Sequence, residues 1–277
     1  MSLSEEVGIV RLLEGAITDK IIAEKRGNVG WLTFNQPQKR NAVSVDMWEA
    51  VPVVLDAFEA DPDIRVIALK GAGDQAFVSG ADISQFDQHR AERGAVNYYE
   101  EIAEGAQLRI YACDKPTIAM IRGYCLGGGV NIALSCDLRI SGSSGRFGIP
   151  AARVGLGYRL SAMTNLVNTV GHAKAREMFF TARQMPAEAA LDANLVHAVV
   201  PEADLAAAVA DLCDTIAANA PLTIAAGKRM MRELLKPGAE VDVAASKSWL
   251  RSCFDSEDYI EGRRAFIEKR KPVFRGR

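Results

Sequence analysis

The stretch Gly123-Tyr124-Cys125-Leu126-Gly127-Gly128-Gly129-Val130-Asn131 is the most informative part of this 277-residue sequence. It follows the strand-like run Thr117-Ile118-Ala119-Met120-Ile121 and opens a predicted helix. Three consecutive glycines are costly in backbone entropy, so they indicate a close approach of the backbone to a ligand or to a neighbouring element. The first N–H groups of a helix lack intrahelical partners and lie at the positive end of its dipole, which suits an oxyanion. Tight strand–helix packing is the alternative interpretation.

A second glycine-containing turn precedes it in the chain. Ala76-Phe77-Val78-Ser79-Gly80-Ala81-Asp82-Ile83 comes a short loop after the predicted strand 64–70, and its small side chains at 79–81 leave N–H groups exposed. Taken alone, this pattern is typical of an ordinary turn. Neither turn has the Gly-x-x-x-x-Gly-Lys or Gly-x-Gly-x-x-Gly spacing of nucleotide sites, but two such N–H groups could converge on one oxygen.

Outward from these turns, strand and helix patterns alternate and predict an α/β fold. We expect a hairpin from residues 20–25 and 28–34, further strands at 64–70, 117–121, 137–140 and 195–200, and helices at 44–60 and 92–112. Pro52 predicts a kink in the first helix or a later start. From residue 202 onward the pattern is helical, at 202–219, 221–235, 239–254 and 256–269. We therefore predict a core at 1–201 and a helical oligomerisation region at 202–277.

Composition narrows the possible partners and compartment. A formal net charge of -2 gives no support for binding nucleic acid or an anionic membrane. The five cysteines are an odd number without Cys-x-x-Cys spacing, which indicates reduced thiols rather than a disulfide framework or a zinc site. No run approaches the ~20 apolar residues of a membrane span. We expect a cytoplasmic, unprocessed protein without a metal.

Several motifs occur in order along the chain. They are Asn35-x-Pro37-x-Lys39-Arg40-Asn41-Ala42, Ser79-Gly80-Ala81-Asp82-Ile83, the glycine run at 123–129, Cys136-Asp137, Phe147-Gly148-x-Pro150 and Ala265-Phe266-Ile267-Glu268-Lys269-Arg270-Lys271-Pro272. Together they resemble the motifs of the enoyl-CoA hydratase/isomerase (crotonase) superfamily. The resemblance implies a crotonase-like spiral of repeated ββα units, a C-terminal helical trimerisation region, and homotrimers or hexamers made of two trimers.

The resemblance also implies a substrate and a binding site. The substrate would be an acyl-CoA thioester, with no cofactor beyond its CoA moiety. The N–H groups of Ala81 and Gly128 would form the oxyanion hole for the thioester carbonyl. Lys39 and Arg40 would lie near the nucleotide end of CoA, and the tail carrying Phe266 and Lys269 would contact CoA from a neighbouring subunit. Solvated charge is the alternative for the lysines.

The sequence departs from the family where hydratases carry two catalytic glutamates. Asn131 and Ala151 stand at those positions, and neither an amide nor a methyl group can act as a general acid or base. We therefore expect weak hydration of a simple enoyl-CoA. Asp82 and Asp137 are predicted to be structural partners of backbone N–H groups near the turns.

Four other side chains could compensate for the missing glutamates. Tyr158 is the best candidate for a proton donor or substrate anchor, with a packed aromatic as the alternative. Arg153 and Arg159 could bind a carboxylate on the acyl group or form ion pairs at the surface. His89 could reach over the site as a base or lie exposed.

Three functions remain open at this point. The first is an acyl-CoA enzyme of the hydratase/isomerase family that stabilises an enolate with atypical acid and base residues. The second is a CoA-thioester decarboxylase or hydrolase. The third is a non-catalytic acyl-CoA-binding or scaffold protein.

Overall fold

The computed structural model describes residues 9–11, 18–82, 93–236 and 238–277. The strands are β1 (Ile9–Arg11), β2 (Ile21–Arg26), β3 (Val29–Phe34), β4 (Val66–Gly71), β5 (Ala76–Val78), β6 (Thr117–Ile121), β7 (Tyr124–Leu126), β8 (Leu138–Gly142), β9 (Arg146–Gly148), β10 (Met185–Pro186) and β11 (Ala198–Val200). The helices are α1 (Val45–Ala60), α2 (Arg93–Ala112), α3 (Gly128–Ser135), α4 (Ala151–Val154), α5 (Leu160–Thr181), α6 (Ala187–Asp192), α7 (Leu205–Ala217), α8 (Pro221–Glu233), α9 (Val243–Phe254) and α10 (Glu257–Glu268).

Each repeating unit places one strand in a larger sheet and the next strand in a smaller sheet. The larger sheet has the order β1-β2-β3-β4-β6-β8-β11, parallel from β3 onward, and the smaller has the order β10-β9-β7-β5. Each of β4, β6 and β8 in the larger sheet is followed along the chain by β5, β7 or β9 in the smaller one, and then by a helix. The chain therefore contains the repeated strand–strand–helix units that the resemblance implies.

Both faces of the larger sheet are buried, which explains its nearly continuous apolar strands. Ile67 and Leu69 point to the main core beneath α1 and α2, whereas the alternate residues Val66 and Ala68 point to the opposite face. Helix α7 covers that second face with Leu205, Val209 and Cys213. The first helix of the predicted C-terminal region thus packs on the sheet of the core.

Most predicted elements are present within a few residues of their expected bounds. Helix α1 starts after Ser44 and continues through Pro52. The predicted strand 195–200 is wrong at its start: Leu195 and Val196 are buried, but they lie in a bend, where the Leu195 carbonyl accepts a hydrogen bond from Arg139 Nε at 2.8 Å. The predicted helix 239–254 begins only at Val243, where Asp242 caps it by accepting from the Ala245 N–H.

Within the described ranges, no single helix has the length and apolar character needed to cross a membrane. The segments 202–217 and 221–233 meet the length and composition criteria only when they are taken together, and they are bent by 101°.

Candidate active site

The two glycine-containing turns lie side by side in the structure. Strands β5 and β7 are parallel neighbours, so their carboxyl ends open at the same edge of the smaller sheet. A Cβ atom placed on Gly128 would lie 3.8 Å from the Cα and carbonyl carbon of Gly80. The Val43 N–H donates to the Gly80 carbonyl at 2.8 Å, and the Asp82 N–H donates to the Val43 carbonyl at 3.0 Å. These two bonds fix the Ala81 turn against the start of α1.

The N–H groups of Ala81 and Gly128 remain available to a ligand. Their neighbours are used internally: the Gly127 N–H donates to the Gly148 carbonyl at 2.9 Å, and the Asn131 N–H donates to the Gly127 carbonyl at 3.2 Å. Among the described residues, neither Ala81 nor Gly128 has an acceptor for its N–H. Gly128 is also the first residue of α3, so its N–H lies at the positive end of the helix dipole.

The glycines of the run have different structural roles. Gly127 has a φ of 51°, in the left-handed region that favours glycine. A Cβ on Gly129 would lie 2.1 Å from the Val78 carbonyl oxygen, so only glycine lets α3 approach β5. Gly128 has open space around it by comparison. Both interpretations of the run therefore apply, tight packing at 129 and an exposed N–H at 128.

A cavity of about 250 Å³ adjoins these two turns. Its mainly apolar wall is supplied by α1, α2, α3 and the segment around α4. The wall includes all five residues predicted to surround the reacting carbons, which are Ala81, Gly128, Asn131, Ala151 and Tyr158.

Asn131 and Tyr158 form a neutral pair in this wall. The Tyr158 hydroxyl donates to Oδ1 of Asn131. The Tyr158 ring packs edge-on against Phe179 with 5.4 Å between ring centroids. Burial raises the pKa of Tyr158, and the hydrogen bond to Asn131 offsets this only in part. Tyr158 is thus a packed aromatic whose hydroxyl also serves as a hydrogen-bond donor at the site.

Ala151 contributes only a methyl group. It is the first residue of α4, directly after Pro150, and is 4% exposed. Asn131 and Ala151, where the resemblance implies glutamates, thus contribute an amide and a methyl group to the cavity wall.

Arg159 forms an ion pair in the same wall. Ion pairing at the surface was one of the two roles predicted for Arg159, but its partner Glu100 was not predicted. Arg159 donates from Nε and Nη2 to one oxygen of Glu100, at 2.7 and 2.6 Å. The Arg159 side chain is 21% exposed, and both residues line the cavity. Arg153 is exposed and is not part of the wall. His89 lies outside the described residues.

The residues predicted to contact CoA lie outside the cavity wall. Lys39 Nζ pairs with the Asp82 carboxylate at 2.8 Å, and the Arg40 guanidinium lies 5.1 Å from the ring centroid of Tyr124. Both residues adjoin the Ala81 turn, because the Ser79 N–H donates to the Arg40 carbonyl at 3.1 Å.

Phe266 and Lys269 belong to the C-terminal helices. Phe266 on α10 is 86% exposed, and Lys269 ends that helix in a left-handed conformation. They do not line the cavity of their own chain. Asp137 is confirmed as a structural residue, because it accepts hydrogen bonds from the Thr117 N–H at 2.7 Å and from Lys228 at 2.6 Å.

The described part of the chain contains no group of three or more His, Cys, Asp and Glu residues that could hold a metal ion. All five cysteines are unpaired, and Cys253 alone among them is partly exposed.

Comparison with known proteins identifies the family. The sequence model described as enoyl-CoA hydratase/isomerase matches residues 24–277. The short-chain-enoyl-CoA hydratase of Clostridium acetobutylicum is 32% identical over 91% of this chain and 96% of its own length. The carnitinyl-CoA dehydratase of Escherichia coli is 30% identical over 94% of this chain and 100% of its own length.

The solved structures agree with the sequence relatives. An enoyl-CoA hydratase/carnithine racemase from Magnetospirillum magneticum superimposes with a TM-score of 0.89 at 35% identity, covering 94% of this chain and 97% of the other. The chain therefore belongs to the enoyl-CoA hydratase/isomerase family, has the crotonase fold and is an acyl-CoA enzyme of that family.

Proposed function

We propose that this enzyme binds the thioester carbonyl of an acyl-CoA between the N–H groups of Ala81 and Gly128 and stabilises the enolate that forms there. The observation that carries the proposal is a pair of N–H groups beside one cavity that have no acceptor among the residues the structure describes. When a proton leaves the α-carbon, negative charge develops on the thioester oxygen. Two donors held at that oxygen would favour the transition state without reorganisation.

The acyl group in this proposal is short. The cavity of about 250 Å³ is below the roughly 300–1,000 Å³ typical of sites for larger ligands. The Clostridium relative is named for short-chain substrates, which agrees with this size. An apolar wall with a few polar groups suits a small acyl chain that carries the reacting carbons.

Hydration is expected to be inefficient at this site. A positioned acid or base contributes about 10²–10⁴ in rate, and both family glutamates are absent. The amide at Asn131 and the methyl group of Ala151 leave no titrating group at those two positions.

The CoA contacts and assembly state are part of the same proposal. Lys39 and Arg40 would contact the nucleotide end of CoA, while Phe266 and Lys269 would reach CoA in a neighbouring subunit of a trimer or of a hexamer. Residues 202–277 would supply the oligomer contacts. The unpaired cysteines support a reducing, cytoplasmic location.

The first test follows deuterium entry from D₂O at the α-carbon of butyryl-CoA, by mass spectrometry. We expect exchange that depends on the enzyme, because removal of an α-proton to a base and its return from solvent through the enolate are the only steps that exchange requires. A malonyl-type thioester and a simple thioester, followed for CO₂ and free CoA, distinguish a decarboxylase or a hydrolase. Tight acyl-CoA binding without exchange or turnover across the panel would support a scaffold protein and contradict the proposal.

A second prediction concerns the missing glutamates. The wild-type enzyme should hydrate crotonyl-CoA slowly, and the double variant Asn131→Glu/Ala151→Glu should raise kcat by about 10-fold or more, since it restores an acid and a base. The single variants serve as controls. No gain in the double variant, with folding intact by circular dichroism, would contradict the assignment of these two positions.

A further inference from the structure

The cavity wall contains one carboxylate within the described part of the chain, Glu100, and one cation, Arg159. We propose that Glu100 is the catalytic residue that carries the proton in this enzyme, and that its reaction is migration of a double bond along the acyl chain. This inference rests on the proposed function, because it requires the enolate held by Ala81 and Gly128. It adds the proton carrier and the reaction class.

The ion pair gives Glu100 a defined orientation. Both donors of Arg159 are directed at Oε2 of Glu100, at 2.7 and 2.6 Å. The second oxygen, Oε1, has no hydrogen-bond partner among the described residues. A guanidinium that grips one oxygen fixes the plane of the carboxylate, while the other oxygen remains for proton transfer. Arg159 is therefore a positioning residue.

Both members of the pair stand on well-anchored elements. Tyr99, directly before Glu100 on α2, is buried, accepts a hydrogen bond from Trp48 Nε1 at 2.8 Å and donates to the Val43 carbonyl at 3.1 Å. Arg159 lies directly before α5 and follows Tyr158, whose hydroxyl is bonded to Asn131. The carboxylate is thus held against the segment that also holds the Ala81 turn.

The other polar groups of the wall are poor proton carriers. The Asn131 amide does not titrate. The Tyr158 phenol is already a donor to Asn131, and burial raises its pKa. The hydroxyl of Tyr99 is occupied on both sides, and burial raises its pKa as well.

One carboxylate is sufficient for a 1,3-proton shift. Starting from a 3-enoyl thioester, Oε1 of Glu100 takes a proton from the α-carbon, and the electron pair of that C–H bond moves into the dienolate with its charge on the thioester oxygen. The neutral carboxylic acid then returns the proton to the γ-carbon, giving the conjugated 2-enoyl thioester. The step consumes no water, oxidant or reductant. Hydration would instead require activation of a water molecule in addition to protonation of carbon.

The test uses conversion of but-3-enoyl-CoA to but-2-enoyl-CoA, together with deuterium entry from D₂O, on the full chain. We expect Glu100→Gln to lower kcat by about 10²-fold or more with KM changed little, because glutamine has the shape but cannot carry the proton. Glu100→Asp should recover part of the rate.

Glu104→Gln is the matched control. Glu104 lies one turn further along α2 and accepts from Ser161 on α5, but it does not line the cavity. Glu104→Gln should have a kcat within about threefold of the wild-type value. Arg159→Gln should lower kcat less than Glu100→Gln with KM changed little, because the carboxylate loses the contact that orients it but can still carry the proton.

The outcomes separate this inference from the function on which it rests. If Glu100→Gln retains the exchange and isomerisation rates of the wild type, the role of Glu100 is overturned, but the proposed enolate site is not. Equal losses in Glu100→Gln and Glu104→Gln would assign both residues to helix packing and also overturn it. No exchange in the wild type would overturn the proposed function and this inference together.

Discussion

Gly128 and Gly129 are adjacent, yet their α-hydrogens meet different surroundings. A side chain on Gly129 would overlap the Val78 carbonyl, with its Cβ 2.1 Å from the oxygen, whereas the nearest atoms to a Cβ on Gly128 are 3.8 Å away. We predict that Gly129→Ala lowers the free energy of unfolding by about 3 kcal/mol or more, because backbone atoms must separate to accept it. The midpoint of urea unfolding measures this loss.

Gly128→Ala is the control for that substitution, since it adds the same methyl group one residue earlier. Its free energy of unfolding should lie within about 1 kcal/mol of the wild-type value, which is the size of effect expected for a glycine-to-alanine change at a helix start. Similar losses in both variants would contradict the account of why α3 packs so closely on β5.

At this residue scale the sequence predicted those residues of the cavity wall that a local motif marks. Gly128, Asn131, Ala151 and Tyr158 all stand in or next to recognisable stretches, and the structure brings them to one cavity. Glu100 could not be found in this way. It is one of several acidic residues on α2, and its partner Arg159 is 59 residues away in sequence, so only the tertiary structure distinguishes it.

At the scale of elements, the start of α1 is joined to the chain before β2 by one carboxylate. Asp46, in the first turn of α1, accepts from Thr18 at 2.6 Å, from Lys20 and from Ser44. Burial acts to raise the pKa of Asp46, but these hydrogen bonds and the lysine outweigh it and lower the pKa to about 2. The carboxylate is therefore stabilised by folding.

The sign of the pH dependence follows from the lowered pKa. The contribution of Asp46 to stability is fully present above its unfolded value of 3.8 and is lost as the pH falls through that value towards 2. We predict that Asp46→Asn is less stable than the wild type at pH 7 and that this difference shrinks between pH 4 and about 2. Urea midpoints across this range test it, with Asp211→Asn on the exposed face of α7 as the control for losing one charge.

The sequence missed all four strands of the smaller sheet, and it also missed β1 and helices α4, α5 and α6. Strands β5, β7 and β9 have three residues each, and β10 has two, so none is long enough to display an alternating pattern. Their lengths are set by the turns of the repeating unit rather than by their own composition. The longer elements β6 and α2 contain enough residues for the period to appear, and they were predicted closely. Helix α5 is long as well, but it was not predicted, and its Gly171 has non-helical φ and ψ angles.

At the scale of the whole molecule, helices α8 to α10 leave an apolar surface uncovered. A groove of about 740 Å³ runs between them and includes Met230 and Leu250. Phe254 and Ile267 border it and are 54% and 77% exposed. Large exposed apolar surfaces of this kind mark interaction sites. The resemblance to the family implies that a neighbouring subunit of a trimer would cover this one.

The last prediction concerns the assembly and its connection to the active site. One chain has a mass of 29.9 kDa, so a trimer would have about 90 kDa (3 × 29.9) and a hexamer about 179 kDa (6 × 29.9). Light scattering after size exclusion should give one of these values.

Phe254→Arg combined with Ile267→Glu should yield smaller species, because two charges would be buried without partners. The double variant should also bind acyl-CoA more weakly than the wild type, since Phe266 and Lys269 are proposed to reach CoA across the interface. Leu191→Glu, on α6 and 38% exposed, is the control and should retain the mass of the wild type. A wild type of 29.9 kDa with normal acyl-CoA affinity would contradict both the trimer and the shared CoA site.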